Sequence, residues 1–557
     1  MPTPNEPAPP APAVASKAPG EDAGLLRLGL VAAVLFGAFL RLFHLGSQVV
    51  FGDEVHAVSS ATTSSLAHIL THYQLPDNCI PISALCRVLL TTVGLEEWGL
   101  RSLALVPGIL LLAVVASATR ALLAGPERVL LTLFLSTSPL FVFWSREGRP
   151  YSAVALFGAL SLVTYVRFLA RPGWRWMLAS GLSQAGAFYF SITVLPFLLG
   201  LGLAAGLWRA TEPRDPGGGG AGPRVRATLA AMRPSFLALG LVVALALPTL
   251  PSLLEILGQN KGYHRLVSGR TFASSALVLF GFRHAELAAP GNALVLVPTA
   301  LSLVGLVAFC RRGWRLAACA LLAIGPAPLV LATSEFRMID EARVFLRYQA
   351  AVVPFYCVLP VLGVGALRAR LGAASRAAGR GVALAAFGLV AVQLALGPIP
   401  GGLPPANPFG LAISQMSGGI QPKELAEPSA VPAFYRERAG DEDLVVVEWP
   451  ARNRYMALFA AYQRIHGGRV IGCYGEADHP GARFRTRVLR PRGLGKRIPA
   501  GSWVVLHKLP DEQTFVAAGE QGKGKRNPGL QEAREACREQ FGAPVYHDEW
   551  ILVYRKR

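Results

Sequence analysis

Long apolar segments alternate with short polar ones over most of this chain. Many of the apolar segments are about 20 residues long, the length that an α-helix needs to cross the hydrocarbon core of a membrane. The pattern predicts about eleven membrane-spanning helices, at residues 25–45, 100–122, 129–144, 151–169, 175–191, 192–208, 235–256, 291–310, 314–332, 348–368 and 381–398. We therefore predict an all-α polytopic membrane domain.

The segment between the first two predicted spans, residues 46–98, has a different pattern. Apolar residues recur there at steps of three and four over 55–73 and again over 82–93, as they do on one face of a helix. Pro81 precedes the second series, and proline is suited to the first turn of a helix. We predict two amphipathic helices that lie in the membrane interface.

Beyond residue 400 the apolar segments become short. Runs rich in β-branched and aromatic residues occupy 444–449, 469–474, 503–508 and 550–554, and helical stretches separate them at 451–465 and 529–541. This alternation predicts a small soluble α/β domain. The chain is thus expected to comprise a disordered cytoplasmic tail at 1–23, a transmembrane domain at 24–400 and an extracytoplasmic α/β domain at 401–557.

The composition is that of a membrane protein, and the positions of the basic residues explain the positive net charge. Hydrophobic residues make up 52% of the 557 residues and charged residues only 16%, against about 25% charged residues in soluble proteins. The net charge is +20, and much of the Lys and Arg lies in short connections between spans, as the positive-inside rule requires. We therefore predict a multi-pass protein of the cell (inner) membrane, with a cytoplasmic N-terminus and a periplasmic C-terminal domain. No nucleic-acid partner is predicted.

Two adjacent acids follow the first span, on the predicted outer side. A carboxylate within reach of an acceptor hydroxyl can act as a general base, and Asp53 is the candidate for this role. The structural alternative is that Asp53 only caps a helix beginning at Glu54, a position where Asp is favoured. Arg101, at the start of the second span, is the expected partner that orients Glu54.

Arginines are concentrated in two other outer segments. The turn at 144–151 contains Arg146 and Arg149, and planar guanidinium groups match the oxygens of a phosphate. The next helix begins near Pro150, and its N-terminus also favours an anion. A mixed-charge segment at 335–348 ends with Arg347 and is a candidate to complete the phosphate site. Interfacial anchoring of these side chains and a solvated loop are the structural alternatives.

Histidines and cysteines add little to this picture. His68 and His72 are four residues apart on one predicted helix, but a third ligand of suitable spacing is missing, so no metal site is predicted. Two cysteine pairs share a predicted outer region, where an oxidising compartment allows a bridge and unpaired burial is the alternative: Cys79 with Cys86, and Cys473 with Cys537.

These segments together resemble a known family. Residues 40–46, followed by Asp53-Glu54, are similar to the end of the first span and the first loop of polyprenyl-phosphate-sugar-dependent transferases with the GT-C fold. That family includes protein O-mannosyltransferases and the ArnT-like aminoarabinose transferases that modify lipid A. Residues 101–103 resemble its Arg-Leu-Pro segment without the proline, and residues 145–151 resemble its Ser-Arg-x-Ala-Arg-Pro-Tyr turn, with Gly148 in place of Ala. Arg347-Tyr348 is similar to its Arg-Tyr entry into a late span.

The resemblance covers roughly residues 25–370 and implies an inverting glycosyltransferase. It implies three groups of site residues: catalytic Asp53 and Glu54; donor-phosphate ligands Arg146, Arg149 and Arg347; and orienting residues Arg101, Tyr151 and Tyr348. The implied partners are a polyprenyl-phosphate sugar donor, a hydroxyl acceptor on a protein, lipid or cell-envelope glycan, and membrane lipid. No metal ligand or cofactor is implied, and a divalent metal stays open.

One departure from the family pattern concerns the acceptor side. Residues 77–82 stand where the family often has a Pro-Pro-Leu-Tyr element, so the acceptor is expected to be unusual. The sequence names neither the sugar nor the acceptor. Other functions for a chain of this kind are a transporter or flippase of a lipid-linked sugar, a polysaccharide ligase or polymerase, and an assembly scaffold in which Asp53 is dispensable.

Overall fold

The computed structural model describes residues 20–47, 53–73, 79–95, 97–212, 221–259, 267–281, 290–333, 342–397, 399, 432–438, 440–441, 443–449, 469–471, 500–507, 530–548 and 551–557. Residues 1–19 of the predicted disordered tail and the predicted helix at 451–465 lie outside these residues. Residues 20–23 of that tail are instead the first turn of a helix. The rest is dominated by helices, as the apolar pattern requires.

The helices follow one another through the apolar part of the chain, joined by short 3-10 helices at Leu45–Ser47, Thr119–Ala121, Ile192–Val194, Leu247–Thr249 and Pro290–Val295. In chain order they are α1 (Gly20–Leu42), α2 (Glu54–Thr63), α3 (Leu66–Thr71), α4 (Ile80–Thr92), α5 (Glu97–Ala118), α6 (Gly125–Thr137), α7 (Pro139–Arg146), α8 (Tyr151–Ala170), α9 (Trp174–Phe190), α10 (Leu195–Ala210), α11 (Ala221–Ala231), α12 (Arg233–Ala246), α13 (Leu250–Gln259), α14 (Gly269–Leu279), α15 (Leu296–Cys310), α16 (Trp314–Ile324), α17 (Pro326–Thr333), α18 (Ala342–Arg347), α19 (Val353–Tyr356), α20 (Val358–Ala374), α21 (Arg376–Leu396), α22 (Ala433–Arg436) and α23 (Leu530–Phe541).

The polytopic membrane architecture is confirmed. Among the described residues, eight helices are long and apolar enough to cross a membrane, and ten if each of two bent helix pairs is one span. The bent pairs are α6 with α7 and α16 with α17, at angles of 54° and 42°. The one predicted span outside these ten, 175–191, coincides with α9, which has 17 residues and lies at the lower limit of spanning length.

The loop after the first span contains three described helices instead of the two predicted. The first predicted amphipathic helix is divided into α2 and α3 at Ser64 and Ser65. Ser65 adopts an extended conformation and its hydroxyl accepts a hydrogen bond from the His68 amide, which starts a new helix. The second predicted helix is α4, and Pro81 lies in its first turn.

Direct contacts place five basic connections at one end of the helix bundle, namely those between α5 and α6, α8 and α9, α10 and α12, α15 and α16, and α20 and α21. Arg312 donates to the Leu122 carbonyl, and Arg209 donates to the Leu169 carbonyl. Arg315 donates to the Trp208 carbonyl and the Thr211 hydroxyl, whereas Arg368 pairs with Glu127 at 2.6 Å. The first three arginines thus reach the C-terminal end of a neighbouring helix, where free carbonyls attract a cation. Arg368 instead reaches a carboxylate in the first turn of α6. Which side of the membrane this end faces stays a prediction.

Small residues allow close packing in the spans, as in other membrane bundles. A Cβ atom on Gly305 would overlap the Leu359 carbonyl of α20, and one on Gly363 would overlap the Leu301 carbonyl of α15. A Cβ on Gly108 in α5 would overlap Ser145 of α7. The last contact brings the C-terminal turn of α7 against α5, close to the loop that carries the two acids.

The described strands near the C-terminus form a five-stranded sheet in the order β2-β1-β3-β5-β4. The strands are β1 (Val445–Trp449), β2 (Arg469–Ile471), β3 (Trp503–His507), β4 (Tyr546–His547) and β5 (Ile551–Arg555). β1 pairs in parallel with β2 and β3, whereas β5 is antiparallel to β3 and β4. The four predicted strands and the predicted helix α23 are confirmed, and β4 was missed because it has only two residues. The domain boundaries stay predictions.

Candidate active site

Two buried arginines tie the end of the first span to the turn after α7. Arg41 donates to the Ser145 hydroxyl at 3.0 Å and to carbonyls of Leu135 and Ser136, at the end of α6. Arg146 donates in return to the last carbonyls of α1, those of Leu40, Arg41 and Phe43, at 2.7 to 3.2 Å. These bonds satisfy helix-end carbonyls that otherwise lack partners and set the position of the turn at 147–150.

Glu54 joins three separate segments through its carboxylate. The Arg101 side chain donates Nε to Oε1 at 2.8 Å and Nη2 to Oε2 at 2.7 Å, and the backbone amide of Gly148 donates to Oε1 at 2.6 Å. Both partners of the ion pair are fully or almost fully buried, at 0% exposure for Arg101 and 2% for Glu54. The predicted Glu54–Arg101 pair is therefore present, in the bidentate geometry that fixes orientation best.

The glycine of the turn is suited to this arrangement. A Cβ atom on Gly148 would lie 2.9 Å from Leu100 Cγ and 3.2 Å from the Leu100 carbonyl oxygen. An alanine, which the resembling family has here, would require Leu100 to shift. The close approach of this backbone to α5 allows the Gly148 amide to reach Glu54.

Asp53 does not cap the following helix, although it stands at the position before α2. Its backbone is in the helical region, with φ −67° and ψ −16°, and its side chain makes no capping hydrogen bond. Instead, Oδ2 accepts a hydrogen bond from Arg347 Nη1 at 2.7 Å, and the Asp53 side chain is 35% exposed. Arg149 Nη1 donates to the Asp53 backbone carbonyl at 3.4 Å. The structure therefore does not support the alternative that Asp53 only caps the helix beginning at Glu54.

Aromatic rings surround the guanidinium of Arg347. Its Cζ atom lies 5.9 Å from the centroid of the Tyr151 ring and 5.2 Å from that of Tyr348. At these distances the ring faces attract the cation. The two tyrosines therefore hold in place the arginine that contacts Asp53.

The arginines govern the charge of the acid. Burial by itself would raise the pKa of the Asp53 carboxyl, but the positive charges of Arg149, Arg347 and Arg343 outweigh it, so that the pKa lies below its ordinary value. The pKa of His56, one turn further along α2, is lowered to about 4 by burial and by the charge of Arg149. Near neutral pH the site thus contains an ionised Asp53 and a neutral imidazole.

Glu147 is a member of the cluster that our sequence analysis did not single out. Its side chain is 8% exposed, and within the described part of the chain Oε2 has no solvent contact and no hydrogen-bond partner. Burial raises the pKa of this carboxyl to about 8, and the negative charges of Asp53 and Glu54 add to the effect. The position of Glu147 between Arg146 and Gly148, both used by the site, was the one signal in the sequence.

The structure brings most of the predicted site residues together but gives Arg146 different neighbours. Arg146 is 1% exposed and directed at the end of α1, and the predicted phosphate role finds no support in this geometry. Residues 334–341 of the mixed-charge segment lie outside the described residues, and so does Cys473. Cys79 and Cys86 are both buried and are not joined by a disulfide. Within the described ranges, no group of three or more His, Cys, Asp or Glu side chains is placed to hold a metal ion.

No protein-family model and no curated protein matches this sequence. Among solved structures the chain is similar to ArnT from Cupriavidus metallidurans in the apo state, at 13% sequence identity and a TM-score of 0.52, covering 96% of this chain and 98% of ArnT. ArnT bound to undecaprenyl phosphate gives 14% identity and a TM-score of 0.49 with the same coverage. The oligosaccharyltransferase AglB from Archaeoglobus fulgidus, in complex with an inhibitory peptide and a dolichol-phosphate, gives 13% and 0.45 over 88% of this chain and 70% of AglB.

The similarity to apo ArnT shows the fold over nearly the whole chain. It is the GT-C glycosyltransferase fold that the resemblance in the sequence implied. At 13% identity the comparison establishes the architecture and leaves the chemistry to the site residues.

Proposed function

We propose that this protein transfers a monosaccharide from a polyprenyl-phosphate donor to a hydroxyl acceptor at the outer face of the membrane, with inversion at the anomeric carbon. The observation that carries the proposal is the ion pair between Asp53 and Arg347, with Arg149 beside it. A carboxylate and two guanidinium groups from distant parts of the chain thereby share one partly exposed cluster. The GT-C fold of ArnT supports it, and ArnT has also been crystallised with undecaprenyl phosphate.

In the proposed reaction the Asp53 carboxylate accepts the proton of the acceptor hydroxyl. The acceptor oxygen then forms a bond to the anomeric carbon as the bond from that carbon to the phosphate oxygen breaks. The electron pair of the broken bond stays on the phosphate, which leaves as polyprenyl phosphate. Arg149 and Arg347 stabilise the negative charge that develops there, because guanidinium groups fixed in advance bind the charge without reorganising.

The pair between Asp53 and Arg347 couples donor binding to the activity of the base. While Arg347 holds the carboxylate, the pKa of Asp53 is low and its affinity for a proton is weak. A donor phosphate competes with the carboxylate for Arg347 and for Arg149. When the phosphate engages these arginines, Asp53 loses part of its compensating charge and becomes a stronger base, so proton removal follows donor binding.

The other predicted site residues have supporting roles in this proposal. Glu54, paired with Arg101, positions α2 and the turn at Gly148, and it takes no part in proton transfer. Tyr151 and Tyr348 hold Arg347. Arg146, which we predicted as a phosphate ligand, instead closes the end of α1.

The test compares Asp53→Asn with wild type in a strain that lacks the chromosomal copy. Asp441→Asn, on an exposed residue of the C-terminal region, is the matched control. We expect Asp53→Asn to reach the membrane in normal amounts and to lower sugar transfer by roughly 100-fold or more, the typical contribution of a positioned base. Lipid analysis should then find an accumulated polyprenyl-phosphate sugar and an unmodified acceptor. Normal turnover of the donor in the Asp53→Asn strain would exclude the base assignment.

A further inference from the structure

Glu147 is a buried acid that the proposed reaction does not use. Its side chain is 8% exposed, and its Oε2 atom is shielded from solvent and has no hydrogen-bond partner among the residues that the structure describes. An ionised carboxylate in such a place loses its hydration and gains too few hydrogen bonds in return. Protonation removes this cost, and burial is the commonest reason for a carboxyl to stay neutral.

The backbone around Glu147 belongs to the site. Its carbonyl accepts a hydrogen bond from the Arg149 amide at 2.6 Å, and the next amide, that of Gly148, is bound to Glu54. These two bonds fix the backbone directly after Glu147 and so limit how far its side chain can move towards solvent.

Charged and titratable groups act on Glu147 from every neighbouring element. The charges of Asp53 and Glu54 on α2 raise its pKa, and those of Arg149 in its own turn and Arg343 on α18 lower it. Tyr151, at the start of α8, interacts with it as well. The two carboxylates and the two arginines oppose each other, and burial decides the outcome, a pKa of about 8.

We propose that Glu147 is a protonated, uncharged carboxylic acid, so that the net charge around the arginines stays positive enough to bind the donor's phosphate. Ionisation of Glu147 would add a negative charge and release the phosphate group. The inference rests on the proposed function, because it concerns the phosphate site of that reaction. Glu147 acts here through the electrostatic potential and through its place in the turn, so it is a positioning residue.

The consequence is a loss of donor binding at alkaline pH. One added negative charge within 10 Å of a bound phosphate weakens binding by roughly tenfold or more if the effective dielectric constant is about 20. Phosphate binding is therefore strong below the pKa of Glu147 and weak above it. The arginines stay charged over the same range, so they do not cause the change.

A suitable probe is a polyprenyl methyl phosphate in detergent micelles. As a diester it carries a single negative charge over the whole range from pH 6 to about 9.5, so its own ionisation does not interfere. The dissociation constant is measured across this range for wild type and for Glu147→Gln, which is a neutral mimic of the protonated acid. Glu212→Gln is the matched control, because Glu212 lies near the other end of α8, about 30 Å away for a helix of 20 residues.

We expect wild type and Glu212→Gln to bind the probe about tenfold more weakly at pH 9.5, well above the pKa of Glu147, than at pH 7. Glu147→Gln should bind it equally well at both pH values. The same fall in Glu147→Gln as in wild type, or no fall in wild type, would overturn this inference and leave the proposed function intact. If neither protein binds the probe at any pH while both are folded, the phosphate site itself is refuted, and with it both proposals.

An infrared measurement on wild type gives an answer that does not depend on binding or on how well the variant folds. A protonated carboxylic acid has a carbonyl band that an ionised one lacks. We expect a band that disappears from wild type as the pH rises through about 8. If Glu147→Gln folds, the band should be missing from its spectrum. A wild-type spectrum without a titrating band near this pH would refute the protonated state.

Discussion

The buried ion pair between Glu54 and Arg101 gives the sharpest test of how the site is held together. Removing one partner of such a pair costs about 3–5 kcal/mol, because the remaining charge is left uncompensated in a buried place. Arg101 has no exposed surface and directs two of its hydrogen bonds to Glu54. We therefore expect Glu54→Gln and Arg101→Met each to lower the free energy of unfolding by about 3 kcal/mol.

The double variant Glu54→Gln with Arg101→Met removes both charges. Its glutamine oxygen can still accept the hydrogen bond of the Gly148 amide, which Glu54 accepts in the native protein. Because no unpaired charge stays buried, we expect a loss of only about 2 kcal/mol. Set against two single losses of about 3 kcal/mol, this gives a coupling of about 4 kcal/mol between the two positions.

The assay is the free energy of unfolding in mixed detergent micelles, titrated with a denaturing detergent for the four proteins of the cycle. Additive losses in the double variant would show that the pair contributes no coupling and would refute the reasoning. Sugar transfer by the same four proteins separates the two roles predicted for Glu54. If Glu54 only orients the turn, the double variant should regain activity relative to Glu54→Gln, whereas a catalytic Glu54 would leave it inactive.

Three further outcomes follow from the site. Arg149→Ala should raise the donor KM by at least about tenfold with little loss of stability, whereas Arg146→Met should lower the stability and leave the donor KM unchanged. Donor titration and thermal unfolding measure the two effects, and an equal rise of the donor KM in both variants would contradict the separate roles of the two arginines. The pKa of His56 is about 4 in the folded protein and about 6.5 when unfolded, so the unfolded chain binds more protons between these values and stability falls as the pH drops through them. His56→Gln should unfold with less dependence on pH in that range, and an unchanged dependence would exclude His56 as its source. Arg368→Met should destabilise the protein by about 3 kcal/mol in the same micelle assay, because Glu127 is 3% exposed, without changing the donor KM; a wild-type free energy would contradict it.

The membrane architecture could be predicted because it depends on local composition. A run of apolar residues must form a helix in lipid, where each backbone amide needs an internal partner, and the helix boundaries found here lie close to those runs. The pairing of Glu54 with Arg101 could also be anticipated, because Glu54 follows the first span and Arg101 begins the second, so both stand at the same end of two consecutive spans. The break between α2 and α3 was missed because amphipathic spacing continues across Ser64 and Ser65, and only the extended backbone of these two residues interrupts the helix.

The sequence by itself determined that this chain spans a membrane repeatedly, with basic connections at one end of its helices and Asp53 and Glu54 at the other. These are properties of segments, set by hydrophobicity and charge within a few tens of residues. Only the tertiary structure decided which arginine meets which acid. Arg347 reaches Asp53 across 294 positions, Arg146 is used by the carbonyls of α1, and Glu147 is enclosed, because side-chain partners depend on how distant helices pack and not on the spacing of residues along the chain.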